Sequence, residues 1–404
     1  MPLTPSPPPA PESPTGNKPG LLFIAPAMPA STGNGLAMRA WCFLEAYART
    51  HDIHLVVVAL FGAAHVSAEI LGICRQVEVV TPSRLARLLS PPWKAQPSLC
   101  RRLPTEAGTV IRSILHQNPC RLIHVQRLYL TPVISGLLGQ PDTPPIILDL
   151  DDIDSSTFLR LADLHARRGE AGQAAAHRRE ARRFAHLEQA MIPQMSLALV
   201  CHADDGERLA AHYPMVPIQV IANAPPDLSP PTAPPAVQDI DLLLVGTFTY
   251  VPNRDGAEWL IREILPRLPA AIRLWLVGPC TEAFQRRMNA VPGVTATNRV
   301  DRVEPYYARA KICVVPLRAG GGTRIKILEA FALGVPVVST TMGAEGLPIR
   351  HGEHLLVADH PADFAAACLD RDGAERARNA RRMLLRQSSR SSILDAISSL
   401  AIRI

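Results

Sequence analysis

Short apolar runs alternate with longer stretches of helical composition along this chain from Leu21 onward, and few folds accommodate that rhythm. The runs at 21–26, 53–60, 76–81, 121–126, 146–150, 196–201 and 217–221 read as strands, with helices expected at 35–49, 105–117 and 160–191. Strands joined by helix-length connectors pair in parallel, and strands without an alternating polar face are covered on both sides. The pattern predicts one doubly wound domain over 21–224.

The rhythm stops at IANAPPDLSPPTAPPAVQDID, residues 221–241, whose three Pro-Pro pairs resist helix and sheet alike. Residues 225–240 are therefore read as an interdomain linker. The alternation restarts with DLLLVGTF, IRLWLVG, KICVVPL, VPVVSTT and HLLVAD, separated by helices expected near 253–268, 281–290, 323–334 and 361–385. This predicts a second doubly wound domain over 241–386, followed by an apolar helix at 387–404. Residues 1–20, rich in proline and poor in apolar surface, read as a disordered tail.

Two facing α/β domains place a ligand cleft beyond the carboxyl ends of their strands, so chemistry is sought in the post-strand loops. The net charge of +6 comes from arginine, since the only lysines are Lys18, Lys94, Lys311 and Lys326. The basic residues are dispersed without interleaved aromatics, which argues against nucleic acid. No apolar run reaches the ~20 residues of a membrane-spanning helix. Eight cysteines without a CxxC pair fit a reducing, cytoplasmic setting.

The most informative stretch is CVVPLRAGGGTRIKILEAFALGVPVVSTT, residues 313–341. A buried strand leads into Gly320, Gly321 and Gly322, then Thr323, Arg324 and a helix start, where backbone amides and the helix dipole favour an anion. Lys326 and Glu329, three residues apart, share a helix face with Gly322. A diphosphate needs cations and amide donors, and a ribose needs an acceptor for its two hydroxyls. A glycine-rich turn capping an ordinary amphipathic helix would give the same pattern.

This segment resembles the donor-binding region of glycosyltransferase family 4. The likeness runs on through LLLVGTFTYVPNRDGAEWLIREILP, LWLVGP, NRVDRVEPYYARAKICVVPL and STTMGAEGLPIRHGEHLLVAD. It implies a GT-B fold, with the terminal helix packing back on the first domain, and retaining, metal-independent transfer from a nucleotide-diphosphate sugar without a cofactor. Carried over by position, Gly246 and Asn253 would line the donor cleft, Arg324 and Lys326 would face the diphosphate, and Glu329 the ribose. Two departures stand out. Gly321 occupies the place of a family glutamate, and Thr247 with Asn253-Arg254 replaces the usual arginine and lysine after the strand.

In the first half, Gly33 and Gly35 lie between a strand and a helix, and with Arg39 they resemble the family's first loop. His124, near the end of its strand, is a catalytic candidate together with Arg324 and Lys326. The acidic run IILDLDDIDSS has three readings: a metal-binding DxD, the aspartyl nucleophile of a haloacid-dehalogenase-like phosphatase, or a cleft loop. The resemblance favours the last, with Asp149 and Asp152 on the acceptor side. It further implies a glycan or lipid-linked acceptor in polysaccharide assembly. The arginines of 160–190 could touch anionic lipid at the inner face of a membrane. A non-catalytic nucleotide-sugar binder and a GT-B-fold epimerase remain alternatives.

Overall fold

The computed structural model describes residues 18–62, 65–82, 96–225, 237–322, 324–387 and 389–403. Most of the expected tail, most of the expected linker and Thr323 lie outside them.

Seven parallel strands form the first sheet: β1 (Gly20–Ala25), β2 (Asp52–Val58), β3 (Cys74–Val80), β4 (Cys120–Gln126), β5 (Ile146–Asp151), β6 (Leu197–Val200) and β7 (Ile218–Val220), in the order β3-β2-β1-β4-β5-β6-β7. The helices of this half are α1 (Gly35–Tyr47), α2 (Ala68–Ile73), α3 (Ala107–Gln117), α4 (Asp154–Arg167), α5 (Ala171–Met191) and α6 (Ala203–His212). Strand order reverses between β1 and β4, the switch point at which open sheets bind ligands. β1 is buried throughout. Leu22 and Ile24 join the core on one face of the sheet, and Leu21, Phe23 and Ala25 the core on the other.

The second sheet has six parallel strands: β8 (Ile240–Val245), β9 (Leu274–Val277), β10 (Val294–Ala296), β11 (Ala310–Val315), β12 (Val337–Ser339) and β13 (Leu356–Val357), in the order β10-β9-β8-β11-β12-β13. Its helices are α7 (Val251–Trp259), α8 (Glu282–Asn289), α9 (Glu304–Arg309), α10 (Ile325–Ala332), α11 (Thr341–Ala344), α12 (Pro361–Cys368) and α13 (Gly373–Gln387). The last helix, α14 (Arg390–Arg403), returns to the first domain. Its Ile393, Leu394, Ile397 and Leu400 complete the core beside α1, and Arg49 pairs with Asp395 at 2.7 Å.

Two single helices expected from sequence are each broken in two. The stretch 160–191 divides at Arg168–Glu170, where Gly169 takes a positive φ of 75° that stops α4 and lets α5 leave at a new angle. The stretch 361–385 divides between Cys368 and Gly373. The three-residue strand β10 and helix α6 were not expected; a run as short as Val294–Ala296 carries too little periodicity to register.

The break after α4 positions the two domains, because α4 lies across the second domain's loops. Leu161 and Leu164 pack with Ala319, and Phe158 and Val251 flank them. Arg160 grips both oxygens of Glu345 at 2.6 Å and donates to the Gly320 carbonyl at 3.0 Å. Arg168 reaches Asp255 and Glu258 of α7 at 3.0 Å each.

Candidate functional site

The second-domain half of the cleft is built from strand ends. Beyond β8, Gly246 leaves room for two polar side chains, since a Cβ there would stand 2.9 Å from Asn253 Nδ2 and 3.0 Å from Lys326 Nζ. Lys326 donates to Asn253 Oδ1 at 2.7 Å, and Asn253 in turn donates to the Thr247 carbonyl at 3.0 Å. Asn253 therefore orients the lysine. Burial pushes the half-buried Lys326 ammonium down to about 8.

Glu329 lies one turn further along α10 and is buried. Its Oε2 accepts the Tyr307 hydroxyl at 2.8 Å, and the same hydroxyl reaches the Lys326 carbonyl at 3.1 Å. Burial raises the Glu329 carboxyl above its usual range. Tyr307, which the sequence reading passed over, fixes the orientation of this helix face.

Arg324 does not extend freely into the cleft. Its guanidinium folds back on the carbonyls of Gly321 and Gly322, the latter at 2.6 Å, and reaches Met342 O at 3.4 Å. It stitches the glycine loop together. Among its side-chain atoms, Arg324 Nε remains buried without a partner. Gly320 and Gly322, at φ 118° and 71°, adopt backbone that only glycine takes readily.

The first-domain loop meets this helix start directly. A Cβ on Gly35 would lie 3.2 Å from Ile325 Cγ1, Gly33 turns the chain at φ 111°, and Asn34 caps α1 by accepting from the Ala37 amide at 3.0 Å. The two glycine loops separately read from sequence therefore face each other.

Three first-domain candidates sit below the cleft floor. Arg39, 4% exposed, grips Asp149, which has no exposed surface, through contacts of 2.7–3.0 Å, and also holds the Ile221 carbonyl and Asn223. A carboxylate so enclosed cannot be an aspartyl nucleophile and does not meet an acceptor. His124 is likewise fully buried, stacked on Phe23 at 4.4 Å and bonded through Nδ1 to the Tyr47 hydroxyl at 3.0 Å. Burial pushes its imidazole down to about 3. It is a core histidine of the layer between sheet and α1, and its expected catalytic place is corrected accordingly.

Asp152 does reach the cleft, and so does a residue the sequence reading missed. Arg127 and Asp151 are the only non-glycine residues with positive φ among those described, at 77° and 63°. Arg127 lies at the centre of the acidic run, bonded to the Asp152 carboxylate and, at 2.6 Å, to Asp154, with Asp151 at 3.7 Å. Thr157 donates to the other Asp152 oxygen at 2.9 Å. A guanidinium thus occupies the position where the DxD reading would put a metal. The signal available in sequence was an arginine directly following the strand RLIHVQ.

Asp152 then touches the opposite domain. A Cβ on Gly321 would fall inside the Asp152 carboxylate and the Thr157 hydroxyl, so only glycine fits there while the domains are docked.

Residues 239–371 match the family model described as glycosyl transferases group 1. An uncharacterized 44.6 kDa protein in the cps region of Klebsiella pneumoniae is 25% identical over 141 residues, covering 32% of this chain and 36% of that relative's length. Among solved structures, the sucrose-phosphate synthase of Thermosynechococcus elongatus superposes with a TM-score of 0.71 at 16% identity, covering 96% of this chain and 99% of that one. HepE of Anabaena, solved in complex with UDP-glucose, gives 0.64 at 15% identity, over 95% and 100% of the two chains. At these identities the likeness carries the fold: two Rossmann-like domains in the GT-B arrangement of glycosyltransferases.

Proposed function

We propose, from a GT-B fold whose second domain matches the group 1 glycosyl transferases, that this chain transfers a sugar from a nucleotide-diphosphate donor to a glycan or lipid-linked acceptor. The observation that carries the reading is the Lys326 ammonium, held by Asn253 beside Gly246 at the start of α10, whose neighbouring Ile325 meets the first domain's Gly35. Helix amides and the ammonium together suit a diphosphate. Glu329, oriented by Tyr307, suits a ribose.

In this reading the leaving diphosphate settles against Lys326 and the helix start as the glycosidic bond breaks, and catalysis rests on electrostatics and positioning. Retention at the anomeric carbon, transfer without a metal ion or cofactor, and hexose as the sugar follow from the family resemblance and belong to the same proposal. The Klebsiella relative from a cps region supports a place in polysaccharide assembly. HepE, solved with UDP-glucose, makes a uridine donor the first to try. No described helix is long and apolar enough to cross a membrane. We assign any membrane contact to the exposed Arg178, Arg179 and Arg182 of α5, which vesicle co-sedimentation with and without anionic lipid would test.

Calorimetric titration of UDP, GDP and ADP against the native chain and Lys326→Ala tests the donor site. Losing a charged hydrogen bond to phosphate weakens binding by roughly 10- to 150-fold. Absence of nucleotide binding to the native chain would refute the reading. Gly321, standing in place of a family glutamate, favours a second reading, a nucleotide-sugar binder without turnover. Measuring release of the nucleotide from a bound sugar donor in the presence of acceptor decides between them.

A further inference from the structure

Strand β5 sends alternate side chains to opposite faces and ends at Asp151, so a regular continuation would point Asp151 and Asp152 apart. They do not point apart. The pairing register slips between Asp149 and Asp151, and Asp151 adopts φ 63°, a conformation that costs an aspartate energy and is found where surrounding structure enforces it. Both carboxylates consequently turn toward the second domain's glycine loop. Asp152 fills the space beside Gly321, and both oxygens of Asp151 lie 3.9 Å from the point where a Gly322 Cβ would be.

The two aspartates differ in what they have left to accept. One Asp152 oxygen takes Arg127 and the other takes Thr157. Among the described residues Asp151 accepts a single hydrogen bond, from Asn223 Nδ2 at 3.2 Å. Arg39 and Arg127 stand off from it at 3.8 and 3.7 Å, and its side chain keeps 17% of its surface exposed. The loop it faces, Ala319 to Gly322, has no acceptor side chain of its own. Its Arg324, nine-tenths buried and bonded to the Gly321 and Gly322 carbonyls, leaves Nε without a partner. Asp151 thus keeps accepting capacity on the first-domain side of the glycine loop, facing the Gly322 position.

We propose that Asp151, carried across from the first domain, is the carboxylate that reads the hydroxyls of the transferred sugar, with Asp152 and Arg127 as its positioning residues. A carboxylate can accept from two vicinal hydroxyls, as a pyranose ring presents them. The loop is built of glycine because the acid it faces arrives from the other domain. The proposal rests on the donor-site reading above.

The test separates the two. UDP, GDP and ADP, and the corresponding UDP-glucose, GDP-mannose and ADP-glucose, are titrated calorimetrically into the native chain and Asp151→Asn. Asparagine tolerates the left-handed backbone, and Asp151→Gly, which takes it freely, serves as a second variant should the first fail to fold. The expected result is bare-nucleotide affinity within twofold of native in both variants, while affinity for the nucleotide sugar falls roughly tenfold or more relative to its nucleotide. If the native chain binds no nucleotide, the donor-site reading falls and this inference with it. If nucleotide binds and the sugar-dependent difference is unchanged in the variants, Asp151 does not read the sugar and the inference alone is overturned.

Discussion

Gly321 and Asp152, 169 positions apart and in different domains, share one volume: the side chain that the glycine lacks is replaced by the carboxylate of the aspartate. An alanine at 321 forces either the glycine loop or the start of α4 to move. Gly321→Ala is expected to lower unfolding stability by about 1–3 kcal/mol, the usual cost of overpacking. Adding Asp152→Gly removes one of the two obstructing groups, the Thr157 hydroxyl being the other, so a double-mutant cycle by urea denaturation should show non-additivity. Additive effects would mean that the two residues do not share this space in solution.

The Lys326 ammonium is held near 8 by burial, and a diphosphate requires it protonated. Nucleotide affinity is therefore expected to be steady below pH 8 and to fall by about tenfold per pH unit above it, because the free protein must then take up a proton to bind. Calorimetry between pH 7 and 9.5 reads this slope directly. Lys326→Ala should abolish it along with most of the affinity, whereas a slope surviving in the variant would assign it to another group.

Arg127 compensates three acidic neighbours, and removing it leaves buried carboxylates without a counter-charge. Arg127→Met is expected to cost about 3–5 kcal/mol in chemical denaturation. The pH dependence follows from sign. Asp154 already has its carboxyl raised by burial, and loss of the guanidinium raises it further above its unfolded value. The folded form then binds more protons, so the variant's deficit should be smallest near pH 5 and grow as pH rises through neutrality. A deficit independent of pH would assign the loss to packing against Tyr129 instead.

Ile397 of α14 has no exposed surface and sits in the first domain's core although it is the last helix in the chain. Ile397→Ala is expected to destabilise by about 2–5 kcal/mol. The loss should appear in the unfolding transition of the first domain, followed by hydrogen exchange in β1 and β2, and not in β8.

Much of this architecture was legible because parallel strands buried on both faces write themselves as uninterrupted apolar runs, as LLFIA and DLLLV do. The second-domain half of the candidate site was legible for a related reason: glycine loop, lysine and glutamate lie within one continuous stretch, so neighbours in sequence are neighbours in space. The first-domain half was harder. Asp149 and His124 looked available because strand ends usually are, but Arg39 and Tyr47 come from a helix that no local pattern connects to them. Asp151, weighed with the rest of the acidic run, was not singled out with Asp149 and Asp152, because a register slip changes the face on which a side chain emerges and nothing in DLDDID announces the slip. Gly169 splits a helix that composition makes continuous, since one glycine in an Arg- and Ala-rich run costs only about 1 kcal/mol and does not by itself signal a break.

The return of α14 means that the chain passes between the domains twice, once after β7 and again between α13 and α14. The core beside α1 is therefore closed by a helix that follows the whole second domain in the chain, so the first domain has its full complement of apolar partners only once everything between β8 and α13 has been threaded past it.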